Sequence, residues 1–216
     1  MKQKVAFFGG TSGLGTEVIE HLSKIYDIDS IGSSKVNLLN DDEIDKYFSN
    51  NNPEIVIIFS NYNYNSFLHK YDTQNWGELD TQLDINIKGV TKVIGKSLQS
   101  MRDNGFGRII LASSITADKS VVGTSIYASC KSFYESIVKN ICLENASKGI
   151  TANCIQLGYM DGGLTYEVPE PFISKVKESI PLKRWGTVEE IANAVHYFIN
   201  TEYTSGHSMK INGGLD

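Results

Sequence analysis

The chain has 216 residues, a net charge of -5, and 41% hydrophobic against 21% charged residues, a length and composition suited to one α/β domain with a sizeable core, 1–216. The acidic balance and the lack of a basic run argue against nucleic acid as a main partner. The apolar run between Lys4 and Gly9 is too short for a signal peptide or a membrane span, and Cys130, Cys142 and Cys154, odd in number and in apolar surroundings, suit reduced thiols, so a soluble, cytoplasmic protein with no membrane partner is expected.

Val5–Phe8 is an apolar run ending on Gly9-Gly10, a buried strand feeding a tight turn. Thr11, Ser12, Gly13, Leu14 and Gly15 follow, and then Val18, Ile19, Leu22 and Ile25 recur at helical spacing up to Tyr26. Strand, glycine loop and helix in that order form the dinucleotide-binding arrangement, with a pyrophosphate held at the helix N-terminus. The loop does not fit G-x-G-x-x-G in frame. Its P-loop-like spacing, Gly10 to Gly15 before Thr16, lacks the required lysine, which disfavours nucleoside triphosphate hydrolysis.

Ile28–Gly32 forms a second strand, and Val36–Leu39 reads as another strand-like run only a few residues later. A crossover between parallel strands needs a dozen or more residues, so the expected helix is shortened or absent. No acidic residue ends the second strand to bind adenosine ribose hydroxyls. Ser33, Ser34 and Lys35 either accept a 2′-phosphate there, favouring NADP over NAD, or form a polar turn indifferent to it. Asn40-Asp-Asp-Glu43 caps a helix to about Ser49, and Pro53 precedes a strand Ile55–Phe59. Residues 60–71, rich in Asn and Tyr, show no strong period and read as a loop facing cofactor or substrate at the carboxyl end of the sheet.

Thr73 caps a long helix through Leu79, Leu83, Ile87, Val90 and Ile94 that carries Asn86. Arg108–Ala112 is a buried strand delivering Ser113 and Ser114. The next helix bears Tyr127 and Lys131 and stops at Gly149. Thr151–Gln156 is a strand. Residues 158–180, with Tyr159, Tyr166, Pro169, Pro171 and Phe172, read as a mobile lid with a short helix. Thr187 and Glu190 make a capping box for a helix to Asn200, and Ser208–Ile211 is a last strand.

Tyr127 and Lys131 lie one helical turn apart, on one face. An ammonium beside the phenol would pull its pKa down from about 10 towards neutrality, making it a general acid/base at cellular pH. His21, His69, His196 and His207 lack metal-ligand spacing, and no metal is expected.

Together these residues resemble the short-chain dehydrogenase/reductase family in its single-domain form, over nearly the whole chain. The loop is similar to the family's T-G-x-x-x-G-x-G, with Phe8 where threonine is usual. Asn86, Ser114, Tyr127 and Lys131 fall in the order and spacing of its catalytic tetrad. Pro181–Ala192 and Ser205–Gly214 are similar to its C-terminal segments, especially in 3-oxoacyl-carrier-protein reductase relatives. Departures are Ile58-Phe59-Ser60-Asn61 for N-N-A-G, Asn37 for the aspartate that meets adenine, and Leu157 for the proline before Gly158.

The resemblance implies a Rossmann-like, doubly wound parallel sheet with helices on both faces. It also implies hydride transfer between a nicotinamide and a small ketone or secondary alcohol. Tyr127 would donate the proton, Ser114 would hydrogen-bond the same oxygen, and Lys131 would depress the Tyr127 pKa and hold the ribose. Asn86 would support a water-linked proton path. The implied cofactor contacts are Gly9, Thr11, Ser12, Gly13, Leu14, Gly15, Ser33, Ser34, Lys35, Asn37, Leu38, Ser60, Asn61, Tyr127, Lys131 and Gly158; Ser114, Tyr127 and Tyr159 would meet the substrate. The aromatic and amide residues of 60–71 and 158–172 suggest a polar substrate, sugar or polyketide-like. An acyl-carrier-protein thioester is an alternative, although no arginine cluster stands out to grip the carrier. A homotetramer or homodimer is expected. The rival reading is an inactive nucleotide-binding sensor or scaffold of the same fold. A sugar epimerase or dehydratase would need a larger C-terminal region.

Overall fold

The computed structural model describes residues 2–71, 75–167 and 170–215. Six strands form one parallel sheet: β1 (Lys4–Phe8), β2 (Asp27–Ile31), β3 (Ile55–Ile58), β4 (Gly107–Ser114), β5 (Ile150–Leu157) and β6 (Ser208–Ile211). They are ordered β2-β1-β3-β4-β5-β6. Helices α1 (Gly13–Leu22), α2 (Asp41–Asn50), α3 (Trp76–Leu83), α4 (Val90–Asn104), α5 (Ser125–Asn145), α6 (Glu170–Ser179) and α7 (Val188–Asn200) connect them. Among the described residues no helix is long and apolar enough to cross a membrane.

Alternate residues of a strand point to opposite faces, and here both faces are covered. Val5, Phe7, Ile55 and Ile57 pack with Val18 and Leu22 of α1 and Val195 and Phe198 of α7. Ala6, Phe8, Val56 and Ile58 pack with α2, α4 and α5 through Ile44, Val93 and Tyr134. Burial on both sides explains why the central strands are continuous apolar runs. The edge strand β2 instead carries Asp27 and Asp29 and is only partly buried, a charged edge that discourages further pairing.

The expected caps form. Asn40 accepts from the N–H groups of Asp42 and Glu43, and Thr187 and Glu190 close a reciprocal capping box on α7. No helix lies between β2 and Asn40, as expected. Val36–Leu39, however, is not a strand: it is a turn with no ladder partner. Val36 and Leu38 are apolar because they plug the core beneath α4, where a Cβ on Gly89 would lie 2.8 Å from Leu38 Cβ. The first helix ends at Leu22 rather than Tyr26. Thr73, the expected cap of the long helix, and Pro169 lie outside the described residues, as do the side chains of Tyr166, Pro171 and Phe172. From Trp76 that helix runs on through a wide, π-helical stretch, Asp84–Gly89, into α4.

β1 pairs with β2 on one side and β3 on the other, so the chain reverses its winding direction at β1. In such sheets the binding crevice opens beyond the carboxyl ends of the strands at that point.

Candidate active site

A cavity of about 770 Å³ occupies that position. Its floor is the first loop. The Phe8 carbonyl accepts from both Phe59 N (2.8 Å) and Ser60 N (3.0 Å), and the chain then turns at Gly9 with φ +87°. A Cβ at Gly9 would lie 2.4 Å from Ser60 N, and one at Gly15 would lie 2.1 Å from Gly9 O. No side chain fits at either place. Ser12 precedes α1 in extended conformation and makes no side-chain cap, so the first-turn N–H groups are not capped from within. A Cβ on Gly13 would meet nothing within 4 Å; the loop is open towards the cavity, which Gly9, Ser12, Gly13, Leu14 and Gly15 line. These residues fit the pyrophosphate of a dinucleotide.

The wall opposite is built by β4 and α5. Ser114 leaves the end of β4, and its Oγ accepts from Thr116 N at 3.2 Å. The Ser114 hydroxyl stands near the Tyr127 phenol and works to lower its pKa. Lys131 is buried one turn along α5, and its Nζ donates to Ala112 O at 2.9 Å. It stands over two rings, 5.4 Å from the Tyr127 centroid and 4.6 Å from that of Tyr134. Ser114, Tyr127 and Lys131 therefore meet at one end of the cavity.

The electrostatics differ from the expectation. Burial pushes the Tyr127 phenol up to about 12, with the Ser114 hydroxyl working against the rise. Burial pulls Lys131 down to about 8. Lys131, at about 8, has given up its own charge before the phenol, at about 12, would ionise, so no ammonium remains to depress it. Tyr127 is thereby held as the neutral phenol, the form that donates a proton.

The Asn86 side chain is taken up by protein partners. It is fully buried in the π-helical stretch, a feature frequent at functional sites. Its Oδ1 accepts from Tyr62 N (2.9 Å) and its Nδ2 donates to Tyr62 O (2.7 Å). Gln82, one turn earlier, accepts from Tyr64 N at 2.6 Å. Four helical residues advance about 6 Å and two extended residues about 6.7 Å, so the two carboxamides match the spacing of Tyr62 and Tyr64. They clamp the segment as a neighbouring strand would. Residues 61–65 consequently have the period of two that seemed absent: Asn61, Asn63 and Asn65 line the cavity, while Tyr62 bonds Glu78 and Tyr64 packs on Tyr71. Asn63, Asn65 and Tyr134 were not foreseen; the Asn/Tyr alternation was the available signal for the first two.

The segment after β5 closes the cavity. Met160 pairs with Gly186 in a one-residue parallel bridge, Met160 N donates to Thr165 Oγ1 at 3.1 Å, and Tyr159 packs on Trp185 with centroids 6.0 Å apart. Gly158 and Tyr159 both line the cavity.

A family model described as enoyl-(acyl carrier protein) reductase matches residues 20–216. The chain belongs to the short-chain dehydrogenase/reductase family, and so to the NAD(P)-dependent oxidoreductases. It is 27% identical to the acetoacetyl-CoA reductase of Synechocystis sp. over 99% of this chain and 86% of that protein. It is also 27% identical to the 3-oxoacyl-(acyl-carrier-protein) reductase of Buchnera aphidicola, over 99% and 97%. In fold it is similar to a small-chain dehydrogenase crystallised in complex with NADPH, with a TM-score of 0.87 over 100% of this chain and 99% of that one at 20% identity.

Relative to the short-chain dehydrogenase/reductase pattern, the residues assigned to the adenosine end lie outside the cavity lining. A Cβ on Gly32 would lie 2.0 Å from Thr11 Oγ1, which puts the Ser33-Ser34-Lys35 turn beside the glycine loop. Ser33, Ser34 and Lys35 are exposed, and Lys35 is ion-paired with Asp29, which also accepts from the Tyr47 hydroxyl. Asn37 Oδ1 accepts from Leu39 N at 3.0 Å, so it serves its own turn rather than standing ready for an adenine. Leu38 is buried in the core. Ser60 meets the first strand through its N–H, and Phe59, on the cavity wall, packs on Phe7 at 5.0 Å.

Proposed function

We propose that this short-chain dehydrogenase/reductase is an NADPH-dependent carbonyl reductase acting on a small ketone. The observation that carries the reading is that Ser114, Tyr127 and Lys131 line one cavity together with an uncapped glycine loop. The bound nicotinamide supplies the hydride. The N–H groups of Gly13, Leu14 and Gly15 would hold its pyrophosphate, and Lys131 would hold a ribose. Ser114 orients the substrate oxygen, and Tyr127 delivers a proton to it as negative charge develops. A phenol held protonated by burial suits the reductive direction. The NADPH complex of the structural neighbour and the names of the two relatives support the cofactor and the direction, and Lys35 at the end of β2 supplies a charge for the 2′-phosphate. A homotetramer or homodimer acting in the cytoplasm accords with the family.

Titration with NADPH and NADH separately, followed by a carbonyl screen, tests this. Tighter NADPH binding with turnover is expected. An NADH preference would overturn the cofactor. Binding of neither would favour the sensor or scaffold reading, for which the replacement of N-N-A-G by Ile58-Phe59-Ser60-Asn61 is the motive.

A further inference from the structure

We propose that the asparagine face of residues 61–65 recognises the hydroxyl groups of a polyhydroxylated ketone, making this a reductase of sugar-like carbonyl compounds rather than of plain 3-oxoacyl chains. The inference rests on the reductase reading and names its substrate class.

Asn63 Oδ1 is buried and has no hydrogen-bond partner among the described residues, yet its residue lines the cavity. Buried polar atoms are nearly always paired, and a buried acceptor left alone carries a desolvation cost that a donor on a ligand removes. The position of this acceptor is set from both ends. Ser60 N is tied to Phe8 O beside the glycine loop. Asn86 holds Tyr62 from the π-helical stretch that packs against α5, the helix of Tyr127 and Lys131. Asn63 therefore stands at the reacting end, with Asn65 about 6.7 Å further from the cofactor loop.

A carboxamide offers both an acceptor and two donors, and a hydroxyl group does the same with one donor and two lone pairs. A row of asparagines thus complements a row of hydroxyls. An alkyl chain on this wall would leave the buried Asn63 Oδ1 unpaired, an unfavourable exchange. Val121 and Leu164, also lining the cavity, provide apolar surface for the C–H face of such a ligand.

NADPH oxidation is measured with xylulose, with 2-pentanone (the same carbon count without hydroxyls) and with acetoacetyl-CoA. The expected result is a kcat/KM for xylulose at least about tenfold above that for 2-pentanone and above that for acetoacetyl-CoA, with the xylulose/2-pentanone ratio collapsing towards one in Asn63→Ala. Asn65→Ala, at an exposed position, gives a second variant should the first fail to fold, and the ratio falls there also. A preference for acetoacetyl-CoA, or a ratio that survives both substitutions, overturns the inference while leaving the reductase reading intact. Absence of turnover with any carbonyl overturns the reductase reading instead. Calorimetric titration of xylulose into the NADPH-saturated protein then decides the recognition itself: binding weakened about tenfold by Asn63→Ala supports it, and no binding, or binding the substitution does not change, overturns it.

Discussion

The Lys131 ammonium stands over the Tyr127 ring, 5.4 Å from its centroid, and donates to the Ala112 carbonyl instead of approaching the phenol oxygen. Its environment is dry, and burial pulls it down from 10.5 to about 8. For a lysine whose folded pKa lies below its unfolded value, stability rises with pH between the two, because there the unfolded chain holds the proton and the folded one does not. Below pH 8 both states are protonated and the cost of burying the charge is complete. Lys131→Met is therefore expected to exceed the wild type in stability at pH 7 by on the order of a few kcal/mol. The gap should close as pH rises from 8 to 10.5. Denaturant unfolding of both proteins across that range checks it; a constant gap would mean that packing, not charge, is responsible.

Tyr127→Phe keeps the ring and removes the proton donor. Turnover should fall by about 10³-fold, within the usual range for a general acid, while NADPH affinity changes little. Single-turnover kinetics paired with a cofactor titration separate the two effects.

Gly9→Ala forces a Cβ to within 2.4 Å of Ser60 N and 2.6 Å of the Phe59 carbonyl carbon, at φ +87°. Both contacts are backbone, so neither can swing aside. A loss of about 3 kcal/mol in unfolding free energy is expected, together with weakened cofactor binding.

Asn86→Ala distinguishes a clamp from a proton relay. It leaves Tyr62 N–H and C=O without their partners, and a cost of about 1–3 kcal/mol in stability follows. KM for the carbonyl substrate should rise more than kcat falls. The reverse pattern, a lower kcat with KM and stability intact, would restore the relay.

Asp29 and Lys35 form an ion pair at the end of β2. Removing the carboxylate with Asp29→Asn leaves the lysine charge uncompensated for a 2′-phosphate, so NADPH affinity should rise, by up to about tenfold at low salt. Lys35→Ala should weaken NADPH by a similar factor and leave NADH unaffected. Fluorescence titrations at two ionic strengths decide it.

Much of this architecture was legible in the chain because each signal had one physical cause. Two-sided burial wrote β1, β3 and the middle of β4 as apolar runs, and Asn40 and Thr187 announced their helices by side-chain oxygens placed for orphan N–H groups. Val36 and Leu38 misled because a turn that plugs a core and a short strand call for the same alternation. The spacing of Tyr127 and Lys131 correctly put them on one face, but spacing carries no information about depth or about which atom of the ring the ammonium meets. The order in 60–65 was hidden because the groups that impose it, Gln82 and Asn86, lie about twenty residues further on.

Those two clamps grip main-chain atoms alone. The path of the wall is accordingly independent of what stands at 61, 63 and 65, and the three side chains can be exchanged without redrawing the backbone that carries them. On the reading proposed above, selectivity would be interchangeable in a way proton delivery by Tyr127 would not, and the same frame offers a place to graft recognition of other carbonyl compounds.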